Sequence, residues 1–515
     1  MTLARLLELA ALRWPEAEAV VDDTRRLTYA HLHARALGLG AAFHRLGVGR
    51  GDRVLIALRN RLEHVLAYWA LQTIGGVPAP VNFRFAAGEM RYVLQDSGAR
   101  VALFEAETAA AVQSAAEHER GLSLVFVGDA ARAPRGALRF DEVPDGLTGG
   151  AAAPAEGDLS LILYTSGTTG RPKGVPRTHR NHYAGAVAQA LQCGYAWGER
   201  TLGVMPLYHT MGIHALTGMA AVNGCFVCQP EWSAARALTL IQRERISALY
   251  LIPTLFYDLV HAREFTRPAV ETVTKLAYAG APMPAALTEA CVKAFAPRAF
   301  VNHYGSTEIY TFSVRPDVHD KPGCAGRPGL HSALRVVTAS TERRVGPDEV
   351  VPSGEKGEII ASLASDEAFA GYWNRPDADA KALREGWYFT GDMGSLDADG
   401  ELHVAGRVDD MIISGGENIH PVEVEEVLAR HPLVRDVAVV GEPDERWGQR
   451  VVAFVVAAGP GLTAEALDAH CRTGGVLAAF KRPRRVVFVG EIPKTASGKI
   501  LRRLLRDGQY SEVRT

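Results

Sequence analysis

Short apolar runs punctuate the first half of the chain: RVLIAL (53–58), RVALF (100–104), LSLVFV (122–127), LSLILYT (159–165) and SALYLI (247–252). Each is short enough for a strand, and helix-length segments separate them, so the pattern predicts an α/β body. The opening MTLARLLELAALRWP breaks its apolar residues with Arg5, Glu8 and Arg13 and predicts an amphipathic helix ending before Pro15, not an export signal. LDADGELHV (396–404) reads as a hairpin turning at Asp399-Gly400, and GGAAAPAEG (149–157) as a linker.

After GRVDD (406–410) the pattern tightens to strand, loop, a helix from Pro421, a strand pair over 437–457, a helix over 463–472, a strand over 485–489 and a terminal helix. Proline followed by Glu423, Glu425 and Glu426 suits a helix N-terminus, where a fixed φ and negative side chains match the dipole. The predicted fold is therefore α/β, a large N-terminal multi-subdomain α/β body over 1–408 and a small mobile C-terminal α/β domain over 409–515, with Tyr510 to Thr515 as a frayed tail.

Composition narrows the function classes without choosing one. A chain of 515 residues with 47% hydrophobic and 22% charged residues and a net charge of -2 is neither disordered nor basic enough to expect nucleic acid. Six scattered cysteines suggest reduced thiols and a cytoplasmic location. Thr201 to Pro230 carries no Asp, Glu, Lys or Arg, yet Pro206, His209, His214 and Asn223 interrupt it, so a buried strand, loop and helix lining an interior pocket is expected in place of a membrane span. Cys225 and Cys228 have zinc-like spacing, but no second pair exists and CFVC reads as a buried strand.

The chemistry is concentrated in YTSGTTGRPKGV (164–175), which directly follows an apolar strand. Thr165, Ser166, Thr168 and Thr169 offer hydroxyls, Gly167 and Gly170 let backbone N–H groups approach an anion, and Lys173 supplies a point charge. Such a loop can wrap a polyphosphate, although its spacing is not that of a Walker loop.

With YAGAPM (278–283), NHYGSTE (302–308), GWYFTGD (386–392), GRVDDMIISGGENIHPVEVE (406–425) and PKTASGKI (493–500) in this order, the sequence resembles the adenylate-forming superfamily of acyl-CoA synthetases, adenylation domains and luciferases over nearly its whole length. The DERWGQ (444–449) and FKRP (480–483) segments bring it nearest to aryl-CoA ligases of the halobenzoate type. The resemblance implies an ATP- and Mg²⁺-dependent ligase that converts a small carboxylic acid to acyl-AMP and then to a coenzyme A thioester; it admits a homodimer.

Carried over by motif, Ala281, Asn302 and Tyr304 would hold adenine, and Asp392 and Arg407 the ribose. Thr307 would contact the α-phosphate, Glu308 and Thr165 would position Mg²⁺, and Lys499 would stabilise the adenylation transition state, with Lys173 on the phosphates. Asp409 would be the hinge about which the small domain turns between half-reactions. Gly415 and Gly416 would border the pantetheine channel, flanked by Trp447 and Phe480, with Arg84, Lys481, Arg482 and Arg484 on the nucleotide of coenzyme A. His209, Met211, Ala279, Gly280, His303, Ile309 and Tyr310 would line the acyl pocket.

These wall residues include no Asp or Lys to hold an amino acid, so a small aromatic or heteroaromatic acid of the furoate, benzoate or hydroxybenzoate type is expected, with His303 offering a polar tip. Short, medium-chain or cyclic aliphatic acids stay open, as does an adenylation enzyme that loads a carrier protein, although only Ile500 to Thr515 follow Lys499. A luciferase-like oxidase fits less well because the ending EVRT lacks a peroxisomal Ser-Lys-Leu address, and an inactive nucleotide-binding scaffold because Lys173, Glu308, Asp392, Arg407 and Lys499 are all present.

Overall fold

The structure, a computed structural model, describes residues 1–117, 119–142, 153–165, 172–340, 343–414, 417–472, 477–495 and 498–513. Ser166, Gly167, Thr168, Thr169, Gly170, Gly415 and Gly416 lie outside the described residues, as do positions 149–152 of the expected linker.

The first helix, Leu3–Arg13, buries Leu3, Leu6, Leu7 and Ala10, a stripe spaced for one helical face, and Thr2 caps it by accepting from the Arg5 N–H at 3.3 Å. The stripe joins a cluster shared with Tyr29–Arg45 and Leu62–Ile74. Beside it lies an all-parallel sheet in the order Val77–Pro80, Arg53–Ala57, Val101–Phe104, Ser123–Phe126, Leu138–Arg139. Val77–Pro80 escaped the sequence reading because two prolines suggest a turn, yet prolines are tolerated on an edge strand.

The second sheet has nine strands, and its interior run of Ala299–Tyr304, Lys275–Tyr278, Ala248–Leu251, Arg200–Gly203 and Cys225–Cys228 is parallel. The charge-free stretch supplies two of these strands and the intervening helix Thr210–Ala221, nearly all of it buried against neighbours, which explains its lack of charge. All six cysteines are buried free thiols, and no helix among the described residues is long and apolar enough to cross a membrane. The chain then forms the hairpin Leu159–Thr165 with Lys173–Thr178, and an antiparallel sheet of Leu334–Val337, Gly357–Ser362, Trp387–Leu396, Leu383–Arg384 and Leu402–Arg407.

From Ile412 onward a separate sheet joins Ile412–Ser414, Glu417–Ile419, Val434–Asp444, Gly448–Ala457 and Arg485–Phe488. Its long strands alternate faces. Val437, Val439, Val451, Ala453 and Val455 meet the helices Pro421–Ala429 and Ala464–Arg472, while Ala438, Val440, Val452, Phe454 and Val456 meet Leu505 of Arg502–Arg506.

The expected frayed tail is corrected. Tyr510 packs on Phe454 with ring centroids 4.7 Å apart, and Val513 donates its N–H to the Phe488 carbonyl at 2.9 Å, so the segment closes the edge of Arg485–Phe488 as far as Val513. A half-buried aromatic packed on the core offsets the ordering cost that a polar tail could not.

Candidate functional site

Three adjacent parallel strands end in register, with Leu251 beside Tyr278 and Tyr278 beside Asn302. Ile252, Ala279 and His303 therefore stand together at their carboxyl ends, the edge where open α/β sheets bind ligands. Gly280, with φ +86°, makes the turn out of the middle strand and leads into Ala281. The loop of Lys499 reaches this same edge: a Cβ on Gly498 would lie 3.1 Å from the Ile252 side chain.

Lys499 is held locally by two hydrogen bonds with Thr495, its N–H donating to Oγ1 at 3.1 Å and its carbonyl accepting from the Thr495 N–H at 2.8 Å. Its side chain stays accessible to solvent in the cleft. Partial desolvation lowers its pKa, reinforced by Arg407 and opposed by Asp392, Asp410 and Glu308, so those groups surround it.

Asp392 and Arg407 face each other across the antiparallel strands Trp387–Leu396 and Leu402–Arg407, with Arg407 Nη1 donating to Asp392 Oδ1 at 2.7 Å. The Tyr304 hydroxyl donates to the other oxygen of Asp392 at 2.6 Å. Asn302, on the same strand as Tyr304, gives its amide nitrogen to the Cys324 carbonyl at 2.8 Å.

Lys173 lies 4.1 Å from the centroid of the Tyr372 ring, and the Tyr372 hydroxyl donates to Glu308 Oε1 at 2.6 Å. Burial pushes the Lys173 pKa down against the pull of Glu308, and the positive charges of Arg375, Arg407 and Lys381 add to the lowering. Thr165 stands opposite Lys173 in the hairpin, and the Thr210 hydroxyl donates to Thr307 Oγ1 at 3.2 Å.

Arg177 and Tyr372 were missed by the sequence reading. Arg177 lies on the same face of its strand as Lys173 and Val175. It is fully buried, donates to the carbonyls of Thr307 at 3.2 Å and Glu308 at 2.8 Å, and also to that of Glu367. Its guanidinium covers the Tyr310 ring at 3.7 Å. The alternation of the strand was the available signal, but a buried arginine contradicts the polar-out expectation. Replacing Arg177 with methionine leaves those carbonyls without their donor, and is expected to cost about 3 kcal/mol. A lowered urea midpoint together with impaired acyl-AMP formation would bear this out; a midpoint unchanged within experimental error would refute it.

Of the acyl-pocket candidates, Met211 and Ala279 pack in one cluster with Tyr250 and Tyr278. His209 caps its own helix by accepting from the Met211 N–H at 3.3 Å, and burial lowers its pKa to about 4. His303 meets Tyr250 edge-on at 5.6 Å, and Tyr310 meets His214 edge-on at 4.2 Å. Ile309 instead joins Val175, Phe312, Phe369 and Tyr372 in a core cluster and seats the loop from behind.

The coenzyme A candidates fall into two groups. The Trp447 ring carries Arg446 at 4.8 Å and Arg484 at 4.5 Å from its centroid, Lys481 pairs with Glu423 at 2.5 Å, Arg482 pairs with Asp468 at 2.9 Å, and Phe480 is exposed. Arg84 lies on the N-terminal body over Phe83, which packs on Tyr208, and shares no hydrogen bond, ion pair or ring contact with the first group among the described residues. Asp409 is exposed in the single turn Val408–Asp410, between Arg407, which pairs with Asp392, and Asp410, which pairs with Arg502 at 3.5 Å and Arg506 at 3.1 Å.

A family profile described as AMP-binding enzyme matches residues 7–373, and one described as AMP-binding enzyme C-terminal domain matches residues 423–499. The chain is 34% identical over 516 residues to a 4-chlorobenzoate–CoA ligase of Arthrobacter sp, covering 98% of this chain and 95% of that protein. It is 32% identical over 507 residues to a long-chain-fatty-acid–CoA ligase of Mycobacterium tuberculosis, covering 96% of each. A crystal structure of an anthranilate CoA ligase in complex with anthranoyl-AMP superposes with a TM-score of 0.89 at 28% identity, over 99% of this chain and 97% of that one.

Proposed function

The chain belongs to the AMP-binding enzyme family and is an AMP-forming acid–thiol ligase that works through an acyl-AMP, and we propose that its acid is a small aromatic or heteroaromatic carboxylate passed to coenzyme A. ATP, Mg²⁺ and coenzyme A are its cofactors. The observation that carries the choice of acid is the pocket wall: the Tyr250–His303 and Tyr310–His214 edge-on pairs frame the sheet end with ring faces and edges, which suit a planar ring better than a flexible chain.

In the first half-reaction an acid carboxylate oxygen attacks the α-phosphorus of ATP and pyrophosphate leaves; in the second, the coenzyme A thiolate attacks the acyl carbon and AMP leaves. Lys499 supports the first step by placing a cation where negative charge gathers between attacking carboxylate and phosphate. Tyr304 would stack on adenine, with Asn302 accepting through its remaining carbonyl oxygen, and Asp392, positioned by Arg407, would accept from the ribose hydroxyls. Glu308, one of whose oxygens is taken by Tyr372, has a second oxygen to offer a hard cation with Thr165, so Mg²⁺ fits this donor set and would neutralise phosphate charge. Division at Asp409 into bodies 1–408 and 409–515 would let the small one turn to present Trp447, Phe480, Gly415 and Gly416 for the second step. Buried free thiols favour a reducing, cytoplasmic setting.

A second reading, an aliphatic acid, is favoured by the similarity to the long-chain ligase. A panel of furoate, benzoate, hydroxybenzoates, cyclohexane carboxylate and hexanoate, scored by AMP release with coenzyme A present, separates the two. Ring acids are expected to lead; hexanoate ahead by more than tenfold in kcat/KM, about 1.4 kcal/mol, would refute the ring reading.

A further inference from the structure

Beside this pocket lies a set of buried polar atoms without partners among the described residues: both ring nitrogens of His303, Nε2 of His214 and both carboxyl oxygens of Glu367. The three residues are 3%, 2% and 0% exposed. They belong to one neighbourhood. His303 meets the Tyr250 ring, the Glu367 carboxyl acts electrostatically on both Tyr250 and Tyr310, and Tyr310 packs against His214. Arg177 pulls on the Glu367 carboxyl electrostatically but gives its N–H groups to main-chain carbonyls, and Thr311 lies near the carboxyl.

Buried polar groups in folded chains are nearly always paired, and a histidine or glutamate is an expensive wall for a pocket meant to hold a plain ring. We propose that His303, His214 and Glu367 form a polar subsite for a hydroxyl or amino substituent on the acid, which makes the substrate class hydroxy- or amino-substituted aromatic carboxylates. The chemistry is complementary. Burial lowers the pKa of His303 to about 4, so near neutral pH its imidazole offers one N–H and one lone pair, which a hydroxyl matches with its own acceptor and donor. Burial raises Glu367 to about 7, and in either protonation state its carboxyl retains acceptor capacity for an O–H or N–H. A hydrogen, methyl or halogen at that position would leave the same groups unpaired. No signal in the motifs pointed to Glu367, which lies outside the segments read as pocket walls.

This inference rests on the ring-acid reading, and the test separates the two. Hydroxy- and aminobenzoates are compared with fluoro-, methyl- and unsubstituted benzoate and with hexanoate, by AMP release with the full-length enzyme and coenzyme A. The best hydroxy- or aminobenzoate is expected to exceed its fluoro and methyl counterparts by at least about tenfold in kcat/KM, mostly through KM. That ratio is expected to fall towards one in His303→Leu and to shrink in Glu367→Gln. Equal use of substituted and plain rings, both ahead of hexanoate, would overturn the subsite and leave the ring-acid reading standing; hexanoate ahead of every ring would overturn the ring-acid reading itself. A preference that survived both substitutions would also overturn the subsite. If neither variant folds, the wild-type comparison decides.

Discussion

Replacing Lys499 with alanine is expected to slow acyl-AMP formation by about 10²- to 10³-fold, the range for losing one preorganised group at developing charge, while transfer from supplied acyl-AMP to coenzyme A stays near the wild-type rate. The loop that carries Lys499 is fixed by Thr495 and rests on Ile252 at the sheet end, so the lysine would be in place before charge develops. Its pKa is lowered by desolvation and by Arg407, hence its positive charge is lost at a lower pH than that of an ordinary lysine. Adenylation should accordingly fall on the alkaline side, and Lys499→Arg should carry that fall to higher pH. Single-turnover measurement of each half-reaction reads the result, and equal losses in both steps of a folded variant would exclude the assignment.

The second large effect is expected at the turn between the two bodies. Asp409→Pro fits the present conformation, because a proline φ suits the short Val408–Asp410 turn, but it removes the freedom that rotation about this residue needs. The coenzyme A step should drop by about tenfold or more while acyl-AMP formation changes little, an asymmetry set by a conformational step. The turn is braced on one side by the Arg407–Asp392 pair and on the other by Asp410 with Arg502 and Arg506, so a rotation here would be confined to few residues. Equal losses in both half-reactions would place the pivot elsewhere.

The residue types of the site were readable because the motifs carrying them sit at strand ends and turns. Asp392 and Arg407 occupy cross-strand partners of a hairpin whose Asp399-Gly400 turn was already evident in the sequence. Tyr372 follows Gly371 in a segment that offers no periodicity of its own, and its bond to Glu308 spans 64 positions. Local pattern has no term for such a distance.

Hydrophobic period and turn chemistry, which act over a few residues, sufficed for the apolar strands, the opening helix and the strand pair of the last sheet. They also placed the lysine of PKTASGKI on a loop next to a glycine. What only the tertiary structure decided is which side chains share a buried space. Arg177 reaches carbonyls 130 and 190 positions away, and Glu367 comes to lie among Tyr250, Tyr310 and Thr311. The tail past Tyr510 orders itself on Phe454 for the same reason. Desolvation and pairing energies depend on neighbours in space, so a charge that reads as surface in the chain becomes, once folded, a buried group whose unmet hydrogen bonds point to a substrate.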